Sequence, residues 1–225
     1  VPSPDRPPQP MTATALHDPA CRRCPRLADF LDGVRAERPD YFAAPVPGFG
    51  ESGGRLLVVG LAPGMHGANR TGRPFTGDYA GLLLYRGLHA LGFASAPEST
   101  AADDDLTLID CRIANAVKCV PPANKPTPAE IAACNVHLRA ELALLPTGGV
   151  ALALGHIAHQ AVLRALGEKP GRYAFAHGAR HGLPGARWLV DSYHTSRYNV
   201  QTGRLNAAQF EAVLADARAL IDAAP

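Results

Sequence analysis

What most constrains the fold of this chain is the length and spacing of its apolar runs. Residues 56–61 (LLVVGL) and 150–154 (VALAL) are unbroken apolar stretches about one strand long, each meeting a glycine at its end. Runs this short, with no polar alternation, suit strands covered on both faces, as in parallel sheets. They stop well short of the roughly 20 residues a membrane span requires. Between them the period changes. Residues 25–38 place Leu27, Phe30, Leu31 and Val34 at helical spacing, and residues 81–91 do the same with Leu82, Leu83, Tyr85, Leu88 and Leu91. Thr127, with Pro128 in the first turn and Glu130 three positions on, forms a capping box that opens a helix running to about Leu144. Further helices are expected over 156–166 and 207–223, and strands over 55–60, within 106–117, over 149–154 and over 187–191.

Short buried strands alternating with helices predict one α/β domain: a central, mainly parallel four-stranded sheet with helices on both faces. The 225 residues are 47% hydrophobic and 19% charged, which excludes a long disordered chain, a coiled coil and a disulfide-dense miniature. Residues 1–20 are rich in proline and read as a flexible leader ahead of a domain over 21–225. They lack the basic-then-apolar layout of a secretory signal, so a cytoplasmic monomer with no membrane association is expected. A net charge of +2 neither requires nor forbids a nucleic-acid partner.

In such sheets ligands sit beyond the carboxyl ends of the strands. The glycine-rich loop over 60–81 leaves one of those ends and is too long for a simple connection. It contains neither G-x-G-x-x-G nor the Gly-Lys-Ser/Thr phosphate loop, which disfavours a nucleotide cofactor. It offers Phe75 and Asp78, a ring and a carboxylate suited to holding a planar ligand, although Asp78 equally suits a helix cap. Asn115 and the segment His194-Thr195-Ser196-Arg197-Tyr198-Asn199 fall at other strand ends. His156 or His159, at a helix start, is placed to approach a phosphate, while His177 and His181 read as loop residues.

Five cysteines are present. Cys21 and Cys24 form a C-x2-C pair, and Cys119 and Cys134 follow far downstream with 14 residues between them. Four thiolates in this pattern suit a tetrahedral zinc or a [4Fe-4S] cluster; unrelated thiols or a redox-active pair are the alternatives. Cys111 has no partner at ligand spacing and reads as core packing.

Together these segments resemble the uracil-DNA glycosylase superfamily, and within it family 5, the iron–sulfur-containing B-type enzymes. Gly60-Leu61-Ala62-Pro63-Gly64 resembles the first active-site motif, and Gly72-Arg73-Pro74-Phe75-Thr76-Gly77-Asp78 its extension. The stretch from Asn115 through Cys119 to Pro122 resembles the uracil-reading strand, and the segment from His194 to Asn199 the second motif. The resemblance implies a [4Fe-4S] cluster on Cys21, Cys24, Cys119 and Cys134. It implies catalysis by Asp78 and His194, and uracil binding by Gly60, Ala62, Gly64, Phe75 and Asn115. It also implies contact with double-stranded, uracil-containing DNA through Ser196, Arg197, Tyr198 and Asn199. Two departures stand out. Thr195 replaces the proline usual after the histidine, and Ala62 replaces the polar residue of other branches, an absence family 5 shares. A broader glycosylase for deaminated purines, or a non-catalytic uracil-DNA binder, are the alternative readings.

Overall fold

The computed structural model describes residues 16–224; most of the proposed leader, residues 1–15, lies outside them. Four strands form the parallel centre: β2 (Leu56–Gly60), β3 (Cys111–Asn115), β4 (Val150–Leu154) and β6 (Arg187–Ser192), adjacent in the order β3-β2-β4-β6. These are the four strands expected from sequence. Two short antiparallel strands extend the edges to six, β1 (Phe49–Gly50) beside β3 and β5 (Arg180–Leu183) beside β6. Neither has an apolar run to betray it; β5 reads RHGL and is exposed along most of its length.

Helices cover both faces. Alternate residues of β2 point to opposite sides: Leu57 and Val59 join one core, Leu56 and Val58 the other. The first core is closed by α1 (Pro25–Glu37), α4 (Pro128–Leu144) and α5 (His156–Leu166). The second is closed by α3 (Tyr79–Ala90) and α7 (Ala207–Asp222), through Leu84, Tyr85, Phe210 and Leu214. The two remaining helices are short, α2 (Ala68–Thr71) in the glycine-rich loop and α6 (Arg197–Gln201) after β6. The capping box at α4 forms as read: the Thr127 side chain accepts from the Glu130 amide while Glu130 accepts from the Thr127 amide. Glu130 also accepts two hydrogen bonds of 2.8 Å from Arg26, tying α1 to α4. At the start of the described chain, His17 bonds to the Pro45 carbonyl. Among the described residues no helix is long and apolar enough to cross a membrane.

Because the central strands are covered on both sides, their side chains carry much of the stability. Leu152 is fully buried in β4. Leu152→Ala is expected to cost about 2–5 kcal/mol, read as a lower midpoint in urea unfolding; a loss under about 1 kcal/mol would contradict this packing.

Candidate active site

Parallel pairing brings Gly60, the last residue of β2, opposite Asn115, the last residue of β3. Beyond these two ends opens a cleft of about 240 Å³ lined by Ala62, Gly64, Phe75, Asp78, Asn115 and His194, with Ser196 at its side. It is smaller than the 300–1,000 Å³ usual for drug-sized ligands and suits a single small planar molecule. The glycine at 60 is a steric requirement. A Cβ there would lie 2.6 Å from Cζ of Phe75 and also collide with the Asn115 side chain.

Phe75 sits in the cleft wall with φ +55°, a conformation that costs a bulky L-residue about 1–3 kcal/mol. The surrounding loop holds it there. Arg73, buried beside it, donates to the Asp104 carboxylate, to Ser99 and to the Ala102 carbonyl, and stacks 4.3 Å over the Phe49 ring. Arg73 is therefore spent on anchoring the loop. The Phe75 ring faces His194 across the cleft, with centroids 6.0 Å apart.

Asp78 is the helix cap that the sequence allowed, and it also lines the cleft. It is the N-cap of α3, where Oδ1 accepts from the Gly81 amide at 3.0 Å. Its other oxygen, Oδ2, faces the backbone of Gly64 and Gly67; a Cβ on Gly67 would come within 2.7 Å of the Asp78 Cβ and clash with Oδ2. Burial raises the carboxyl above its ordinary value, opposed in part by backbone amides. Burial acts on His194 in the same sense, disfavouring the charged form, and lowers it to about 4. At neutral pH the ring is an uncharged hydrogen-bond donor. Its backbone is fixed by Asn199, whose amide donates to the His194 carbonyl at 2.8 Å. Thr195, in the place of the usual proline, is fully buried, and its hydroxyl has no hydrogen-bond partner among the described residues. Oδ1 of Asn115, likewise buried and packed over Gly60, also has no hydrogen-bond partner among the described residues.

At the rim, Ser196 caps α6 by accepting from the Asn199 amide, Arg197 lies 5.1 Å over the Tyr79 ring, and Tyr198 is 71% exposed. The geometry adds a residue that the sequence reading passed over. Asn124 lines the same cleft, carried there by the loop after Cys119, where Ala123 and Asn124 are both left-handed. Its signal was the flanking prolines, Pro121-Pro122 and Pro126, around an asparagine, the residue besides glycine that best tolerates φ > 0.

The second centre lies under the sheet edge. Cys21, Cys24, Cys119 and Cys134 line one cavity, with Cys24 capping α1 and Cys134 within α4. Burial, then the nearby Cys134, Cys21 and Cys24 sulfurs, push the Cys119 thiol up to about 12, so a cationic core is needed to hold the four as thiolates. The Lys118 amide points at Cys134 Sγ, 3.3 Å away. A tetrahedral zinc with Zn–S near 2.3 Å requires sulfurs about 3.8 Å apart. Among the described residues, the one set of three or more donors all within 4.8 Å is His159, His181 and Asp191. Four cysteine sulfurs around one cavity are nevertheless a donor set of the kind that holds a metal centre. Cys111 lies fully buried in β3, as core packing.

One histidine expectation is narrowed and another corrected. Of the two at the helix start, His156 is exposed, while His159 is buried with Nδ1 2.8 Å from Asp191 and Nε2 3.1 Å from the Tyr173 carbonyl. His181 is not a loop residue but part of β5, bonding the other Asp191 oxygen at 3.2 Å. This buried bracket joins α5, β5 and β6 just before the His194 segment. Its members come from three separate elements, so no local spacing announces it.

Residues 47–218 match the family model described as the uracil DNA glycosylase superfamily. The chain is 50% identical over 206 residues to a type-5 uracil-DNA glycosylase of Thermus thermophilus, covering 89% of this chain and 94% of the relative. It is 44% identical to the protein of the same name from Mycobacterium leprae, over 89% and 91% of the two chains. With that of Pyrobaculum aerophilum the identity is 42%, over 88% of each.

The desolvated cleft has a direct spectroscopic consequence. In an NMR pH titration of the ring protons, the resonance lost in a His194→Asn variant is expected to keep its neutral shift down to about pH 4. Titration of that resonance near the ordinary histidine value of about 6.5 would show that the cleft is wetter than this packing implies.

Proposed function

The chain belongs to the uracil DNA glycosylase superfamily, and from that membership and its type-5 relatives we propose that it removes uracil from DNA by hydrolysing the N-glycosidic bond. The observation that carries the mechanism is the single cleft where a ring, an amide whose oxygen has no partner among the described residues, a neutral imidazole and a desolvated carboxylate converge. A base inside a duplex must be extruded before any of them can reach it. The flipped uracil stacks on Phe75, whose ring packs with the Asn115 amide over Gly60 because no side chain stands there. Oδ1 of Asn115 accepts from the ring N–H of uracil, a donor that cytosine lacks at that position.

Cleavage of the bond sends its electron pair to the base and leaves positive charge on the sugar. His194, uncharged at neutral pH, donates a hydrogen bond to the uracil carbonyl oxygen on which the negative charge collects. Asp78 holds the attacking water with Oδ2, accepts its proton, and offsets the sugar cation. Desolvation makes this carboxylate more basic than one in water, which favours that transfer. Ala62 takes no part in proton transfer. Its small side chain leaves space beside the base, and this favours acceptance of hypoxanthine and xanthine as secondary substrates.

Ser196 and the Gly64 backbone meet phosphates, Arg197 and Asn199 line the groove, and the exposed Tyr198 fills the gap left in double-stranded DNA, bound by a protein monomer. Cys21, Cys24, Cys119 and Cys134 hold a [4Fe-4S] cluster, which when bound cross-links the 21–24 segment, the end of the Asn115 strand and α4. Asn124 reaches the cleft on the loop so anchored.

Asp78→Asn keeps a good N-cap while removing the charge. It is expected to slow single-turnover uracil release by about 10²–10⁴-fold, and His194→Ala by about 10²–10³-fold. Unchanged rates in both variants would remove the mechanism proposed for this cleft. For the wild-type protein, the rate should fall as acid protonates Asp78 below its raised value. It should show no step near pH 6.5, because His194 is already neutral there; a step at 6.5 that vanishes in His194→Asn would contradict the assignment. Tyr198→Ala should slow excision from an A·U duplex while sparing a single strand, and equal losses on both would show that the ring is not a wedge.

A further inference from the structure

Below the cleft, three charged side chains are packed away from water with unequal signs. Glu141 is fully buried and accepts a paired hydrogen bond from Arg112, whose side chain is 11% exposed. Lys118, 3% exposed, places Nζ 3.6 Å from the same carboxylate, and that nitrogen makes no hydrogen bond among the described residues. Lys118 and Arg112 share one carboxylate, and a buried ammonium with no anion of its own is unfavourable unless a further anion stands near it.

The same lysine lines the cavity of the four cysteines. Its backbone amide is bonded to Cys134 Sγ at 3.3 Å. Asp18, the exposed Arg23 and the buried His137 also line the cavity, and Glu130, on the same helix as Cys134, is paired with Arg26. Four thiolates on a [4Fe-4S] core carry two net negative charges, a buried anion of the required sign. We infer that Lys118 is the fixed counter-charge of the iron–sulfur cluster, with Glu141 and Arg112 holding its ammonium in place. The inference rests on the cluster assignment made above. It goes beyond it by giving a residue outside the ligand set control of cluster retention and potential.

A nearby positive charge favours the more negative, reduced cluster and stabilises the thiolates. The purified, iron-loaded protein is compared with Lys118→Met, which keeps the length and removes the charge, and Lys118→Arg, which keeps the charge. Lys118→Met is expected to lose iron to a chelator about tenfold faster and to move the reduction potential, from an anaerobic titration of the visible band, to more negative values. Lys118→Arg should stay near wild type. If Lys118→Met does not load, Glu141→Gln decides the matter: it increases the excess positive charge and should move the potential upward. Iron release and potential unchanged in Lys118→Met, or a downward shift in Glu141→Gln, would overturn the role of Lys118 while leaving the cluster intact. Wild-type protein purified anaerobically without iron or sulfide would instead overturn the cluster assignment itself.

Discussion

Everything functional in this molecule depends on the two-sided burial of the parallel strands. Leu56–Gly60 and Val150–Leu154 expose almost nothing to water, so neither face of the sheet can host a site. Ligand chemistry is displaced to the carboxyl edge, where backbone must leave the sheet and polar groups can gather. Register then fixes the details. Gly60 opposite Asn115 lets the Asn115 amide and the Phe75 ring pack over the strand end, and the cleft opens beyond them.

Desolvation does at that edge what specific charge pairs do elsewhere. It raises Asp78 and lowers His194, each by disfavouring the charged form. The carboxylate becomes a better proton acceptor and the imidazole becomes a neutral donor. One physical cause therefore supplies both partners of the hydrolysis proposed here. The carboxylate proposed to act on water is also a helix cap, with Oδ1 bonded to the Gly81 amide and Oδ2 facing Gly64 and Gly67. A group that must be rigid for chemistry is held by the hydrogen bond that starts α3.

The thiol centre shows the opposite economy. Cys119 and Cys134 are buried beside a cationic triad, and the loop between them carries Asn124 back to the cleft. Glu130, which completes the cap of α4, also receives Arg26 from α1. Capping, ion pairing and thiol ligation thus converge on one short stretch of chain, and in this reading they hold one wall of the site.

Much of this was legible in the residues themselves. Strand-length apolar runs specify a doubly covered parallel sheet, because no other structure buries such short runs on both sides. Helical spacing and the Thr127–Glu130 box mark α4 almost to the residue, because caps act within one turn. The motifs place Asp78, Phe75, Asn115 and His194 in the right order, and their meeting in one cleft follows from the fold they imply. What the sequence could not decide is anything made by contacts between distant elements. β1 and β5 exist only because an edge was there to pair with. His159 and His181 are claimed by Asp191, and Arg73 by Asp104, across gaps no local pattern spans. Lys118, next to Cys119, looks like an ordinary surface residue until packing buries it. Local chemistry determined which elements form and which groups can react; tertiary burial decided their charge, their partners and the direction each one faces.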